Sequence, residues 1–134
     1  MGDRTTLNVY CLEKDKKAVD RVLRSQSVDV YEDGIVCLAV DDADDGGADD
    51  LHKLAGKGLS FYGSHGAGGN YGSKLFACFR GELVFVDELD NAPVCRMFLN
   101  ESGHAEAEPS DRMVAEDYYR TFGKVCEAFN PMEG

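Results

Sequence analysis

No stretch of this chain approaches the roughly 20 apolar residues that a bilayer-spanning helix needs. Its 134 residues contain no tryptophan and only three prolines. No Pro/Ser linker, low-complexity tract or internal repeat is present, so a single compact domain over 1-134 is expected. The five cysteines include no Cys-x-x-Cys pair, and His52, His65 and His104 show no metal-binding spacing. Neither a dedicated metal site nor a disulfide framework is therefore expected, and no cofactor is implied. Met1 to Thr6 lack a basic region followed by an apolar one, so no secretory leader is expected there. Cys11, Cys37, Cys78, Cys95 and Cys126 sit among apolar neighbours and read as reduced core thiols of a cytoplasmic protein.

Charge of one sign is missing from whole blocks. From Ser25 to His52 there is no lysine or arginine, while nine carboxylates fall there: Asp29, Glu32, Asp33, Asp41, Asp42, Asp44, Asp45, Asp49 and Asp50. From Leu51 to Gly81 there is no acid, and Lys53, Lys57, Lys74 and Arg80 stand alone. Segregation of this kind predicts surfaces of opposite sign, and hence recognition. The net charge of −11 and pI near 4.6 argue against direct binding of nucleic acid or an anionic membrane, both of which the bulk protein would repel.

Hydrophobic periodicity predicts the elements. Leu7 to Leu12 alternates as a strand, and Glu13 to Arg24 reads as a helix with Val19, Val22 and Leu23 on one stripe. Val28 to Tyr31 and Ile35 to Val40 form a hairpin about Asp33-Gly34. Asp41 to Asp50 is too acidic to bury and reads as a surface loop running into a short helix at Asp49 to Ala55. Leu59 to Tyr62 and Val94 to Leu99 read as strands, and Lys74 to Phe79 with Glu82 to Asp87 as the clearest hairpin. Pro109-Ser110-Asp111 opens a last helix whose stripe is Val114, Tyr118, Phe122, Val125 and Phe129. The predicted fold is α+β: a mainly antiparallel sheet of about five to seven strands, with an N-terminal helix and a long C-terminal helix packed on one face. Its first strand-helix-strand unit leaves room for one parallel pair.

Two surface excursions carry the functional candidates. The glycine-rich loop 63-72 permits positive φ and close approach of a ligand to the backbone. Gly66 to Gly72 superficially resembles a dinucleotide fingerprint, but Ser73 to Phe79 reads as a strand where that fingerprint opens a helix. No Gly-Lys-Ser/Thr follows, and a kinase-like glycine flap has no His-Arg-Asp or Asp-Phe-Gly to serve. His65, Gly66, Gly68, Gly69, Asn70, Lys57 and Lys74 are the residues with which this loop would hold a nucleotide or phosphate ester, as sensor, sponge or minor enzyme. No Ser, Cys or carboxylate can be assigned to His65, so no catalytic constellation emerges.

The acidic segment is the other candidate. Asp41, Asp42, Asp44, Asp45, Asp49 and Asp50 place six carboxylates within ten residues. They do not fit the EF-hand spacing, since Ala43 falls at the third position and no Glu stands twelfth. Carboxylates on a rigid frame can imitate phosphates and occupy a basic groove. The leading expectation is a non-catalytic acidic binding protein that recognises a basic protein surface, in its sharpest form a phage or mobile-element inhibitor of a nucleic-acid-handling host protein. That form rests on analogy of size and charge. Self-association is the third expectation.

Overall fold

The computed structural model describes residues 4–32, 34–68 and 72–130, and at positions 4, 44 and 45 the backbone alone. The chain runs β1 (Arg4–Leu12), α1 (Lys16–Leu23), β2 (Ser27–Glu32), β3 (Ile35–Asp44), α2 (Ala48–Gly56), β4 (Phe61–His65), β5 (Lys74–Phe79), β6 (Glu82–Leu89), β7 (Ala92–Pro93), β8 (Met97–Leu99), β9 (Ala105–Ala107) and α3 (Pro109–Phe129). Seven strands form one sheet in the order β2-β3-β1-β4-β5-β6-β7, and β8 pairs with β9 in a separate hairpin. All pairings are antiparallel. This is the expected α+β architecture, a mainly antiparallel sheet with a short N-terminal helix and a long C-terminal helix packed against it. The first strand-helix-strand unit contains no parallel pair, because β1 inserts between β3 and β4 rather than beside β2.

The alternation of β1 decides the layers. Leu7, Val9 and Cys11 point to one face, where they join Val19 and Leu23 of α1, Leu51 and Leu54 of α2, and Phe61 and Phe76. Tyr10 and Leu12 point to the other face, where they pack with Val125 and Phe129 of α3. The helices thus divide between the two faces instead of sharing one. Burying each of the larger apolar side chains contributes about 2 kcal/mol, so a slip of one residue in β1 would invert both layers at once.

Several local readings change. The helix expected from Glu13 begins only at Lys16, after a single 3-10 turn over Glu13–Asp15. Of the strand expected over Val94 to Leu99 only Met97–Leu99 forms, as β8; β7 at Ala92–Pro93 precedes it, and β9 at Ala105–Ala107 has no counterpart in the sequence reading. Positions 41–50 are not a loop. They complete β3, turn through Asp45–Gly47 and enter α2. Gly63, Ser64 and His65 belong to β4, so the glycine-rich loop begins at Gly66.

Gly63 is where the sheet tolerates no side chain. It faces Val9 in the β1–β4 register, and a Cβ there would lie 1.9 Å from the Asn8 backbone oxygen and 2.9 Å from the Phe76 ring. Gly63→Ala is expected to lower unfolding free energy by about 3 kcal/mol. Gly123→Ala, on the exposed side of α3 with nothing within 4 Å of the added Cβ, should raise it by about 0.5–1 kcal/mol. Urea denaturation of the two variants checks the pair. A Gly63→Ala chain as stable as the parent would contradict this packing.

Candidate functional site

The acidic segment is held by its turn. Asp41 and Asp42 are exposed at the end of β3, and the Asp41 N–H donates to Gln26 Oε1 at 2.7 Å. Ala43 turns inward and is buried. Gly46 and Gly47 then adopt φ of +68° and +77°, a region that costs other residues strain. A Cβ at Gly46 would lie 2.7 Å from the His65 ring, and one at Gly47 would lie 2.5 Å from Leu7 Cδ2. The turn is therefore seated directly on those two side chains. Asp49 and Asp50 follow in the first turn of α2, where the helix dipole favours negative charge. Asp50 lies 3.8 Å from Lys53 Nζ.

His65 is buried under that turn at 6% exposure. Its Nδ1 lies 2.8 Å from the Gly66 carbonyl oxygen. A carbonyl only accepts, so Nδ1 carries the proton and donates. The Gly66 N–H donates to the Thr6 oxygen at 3.1 Å, and a Cβ on Gly66 would meet Thr5 Oγ1 at 2.5 Å. The acidic segment and the start of the glycine-rich loop consequently adjoin, with His65 between them.

The other expected ligand contacts do not converge. Lys74 faces His65 across the β4–β5 pair, but its Nζ is 3.0 Å from Asp87 Oδ1. Lys57 lies beyond the opposite end of β4, a span of about 13 Å at the rise of a strand. There it closes the C-terminus of α2 and, with Arg21, Arg24 and Lys53, lines an open cleft of about 810 Å³ between α1 and α2. Gly69 and Asn70 lie outside the described residues, as do the side chains of Asp44 and Asp45.

The β8–β9 hairpin is a second exposed feature that the sequence did not mark. Met97 is 60% and Leu99 73% exposed, and Met113 on the adjoining start of α3 is 64% exposed. The hairpin is tied to α3 by Asp111, which accepts from the Arg96 backbone N–H at 3.0 Å and from its Nε at 2.9 Å. Nearby, Arg112 pairs with Glu116 at 2.9 Å and Arg120 with Asp117 at 2.6 Å, so these arginines are matched by carboxylates.

On the face bearing α3, aromatic rings form a groove. Tyr10 and Tyr62 stack with centroids 4.9 Å apart, Tyr31 meets Tyr10 edge-on at 4.8 Å, and Phe122 meets Tyr62 at 5.2 Å. Burial raises the Tyr118 phenol to about 12 and pushes those of Tyr62 and Tyr10 upward too, so all three stay neutral at physiological pH. Burial likewise raises the Cys11 thiol to about 12 and that of Cys78 to about 11, which makes both inert as nucleophiles.

Among the described residues, no group of three or more His, Cys, Asp or Glu is placed to hold a metal ion, and no helix is long and apolar enough to cross a membrane. No family model, curated protein or solved structure matches the chain.

The hairpin tie has a defined pH response. Hydrogen bonds from Ser110 hold the Glu108 carboxyl below its usual range, and the Arg96 backbone N–H and guanidinium do the same for Asp111. Carboxyls depressed on folding contribute stability above their unfolded pKa of about 4, and that contribution is lost as pH falls through the lower folded values. Acidification through this window should release the Arg96 amide and speed hydrogen exchange across β8 and β9, and Asp111→Asn should produce the same loosening at neutral pH. Hairpin amide resonances that stay fixed through the titration would count against the tie.

Proposed function

We propose that this chain is a non-catalytic binding protein that docks an acidic face onto a basic surface of another macromolecule, a nucleic-acid-handling protein being the partner class. Occupation of such a surface would inhibit it, as expected of a phage or mobile-element product. The observation that carries this reading is the seating of Gly46 and Gly47 on His65 and Leu7. It makes the acidic segment a frame: Asp41 and Asp42 stand on a strand end, and Asp49 and Asp50 on a helix turn. Carboxylates that repel one another would spread apart on a free loop, whereas on a frame they keep a spacing that a basic groove can match.

Exposed charge alone gives weak, salt-sensitive binding, and tight complexes rest on a few desolvated apolar anchors. The hairpin supplies candidates in Met97, Phe98 and Leu99, flanked by Glu101 and Glu106. A small anionic ligand on the glycine-rich loop is the less supported reading, because Lys57 lies far from His65, Lys74 is engaged by Asp87, and the loop adjoins the acidic segment.

The test is capture from lysate by the tagged protein at low and moderate salt, with mass spectrometry of what elutes. A basic nucleic-acid-handling protein should be retained at low salt and displaced by duplex DNA, since both compete for one groove. A variant with Asp41, Asp42, Asp49 and Asp50 all changed to Lys should bind it at least about tenfold more weakly while its thermal midpoint shifts by only a few degrees. Undiminished capture by that variant, or a captured partner that binds DNA and this chain together, would overturn the reading.

A further inference from the structure

The aromatic groove lies on the opposite face of the sheet from α2, and the reading above does not draw on it. It encloses about 290 Å³, near the small end of ligand sites, and Tyr10, Tyr31, Tyr62, Tyr118, Tyr119 and Phe122 supply its aromatic walls. Among the described residues that line it, none is charged. Asn91 and Pro93 close one side, held there by Glu88, whose Oε2 accepts the Asn91 N–H at 2.9 Å. Glu32 lies on the other side, close enough to act electrostatically on both Tyr62 and Cys126.

Three properties narrow the occupant. The flanking carboxylates and the net charge of −11 repel anions and raise the local concentration of cations. The walls offer ring faces and neutral phenols but no counter-ion inside, so a compact, strongly hydrated ion would lose more hydration than it regained. A planar aromatic ligand has no open slot between parallel rings, because Tyr10 stacks on Tyr62 with planes 6° apart and Tyr118 on Phe122 with planes 6° apart. Free aromatic surface remains on Tyr31 and Tyr119, which are 54% and 57% exposed. A cation whose charge is spread over alkyl groups loses little on dehydration and gains from several ring faces together.

We propose that this tyrosine-lined groove between α3 and the sheet binds an alkylated ammonium group, with Tyr31 and Tyr119 as its outer walls. The group would be carried by a free quaternary amine or by a methylated lysine side chain. It would be held by cation–π attraction and desolvation and would need no ion pair.

The probes are choline and N-acetyl-trimethyllysine amide, set against 3,3-dimethylbutan-1-ol, which has the shape of choline without its charge. Aromatic resonances of the full chain are followed by NMR. Saturable shifts of the tyrosine rings are expected with at least one cation and not with the neutral alcohol. The cation that binds more tightly identifies the source. Tyr31→Ala and Tyr119→Ala replace exposed rings, and each should weaken binding by about tenfold, as loss of one cation–π wall implies. The alcohol shifting the same rings as strongly would overturn the proposal, since the groove would then be merely apolar. So would cation binding that survives loss of both tyrosines, or the absence of saturation by either cation.

Discussion

Everything in this fold is referred to the alternation of β1. One strand supplies Leu7, Val9 and Cys11 to the layer under α1 and α2, and Tyr10 and Leu12 to the layer under α3. Its partners are fixed to the same parity. Val9 faces Gly63, where the missing side chain leaves space that the Phe76 ring approaches, and Tyr10 faces Tyr62, where the two rings stack. The acidic frame depends on the first set of residues through Leu7, and the aromatic groove on the second through Tyr10. A register error in this strand would remove both features, so each inherits its precision from the sheet and not from a loop.

Much of this was legible in the sequence, for reasons that can be named. The α3 stripe survives because a helix repeats its buried positions locally: Tyr118, Val125 and Phe129 are buried where the four-and-three spacing put them. Val114, at the same spacing, is 41% exposed and lines a small open cavity with Phe85, Val86 and Val94. The β5–β6 hairpin was equally visible, with Arg80 and Gly81 both at positive φ in its turn. What composition concealed was the acidic segment. Ten residues rich in Asp, Gly and Ala look solvated, yet Ala43 and the two glycines are inward contacts, while Asp41, Asp42 and Asp49 are exposed. His65 differs in the opposite direction: the sequence reads it as a residue of the glycine-rich loop, and it is instead the last residue of β4, buried beneath the turn.

The groove was not legible at all. Its tyrosines stand at positions 10, 31, 62, 118 and 119 and share no periodicity. Three come from different strands and two from one helix, and only the strand order and register bring them together. The α3 stripe places Tyr118 in the core, where it is buried, and its neighbour Tyr119 is exposed. Local pattern reports which face a residue takes. It cannot report which residues of other strands share that face until the pairing is known.

The distribution of charge then separates two kinds of selectivity. Carboxylates on the acidic frame attract any basic group, and the attraction fades beyond about 10 Å at 0.1 M salt. In the proposed complex, discrimination would come from the spacing that the turn imposes and from apolar contacts with the partner. Inside the groove the order is reversed. No described lining residue is charged, so the proposed selectivity would come from dehydration and ring geometry, with the flanking carboxylates raising the concentration of cations at its mouth. One negative field would serve both surfaces by steering, and the short-range chemistry of each decides what stays.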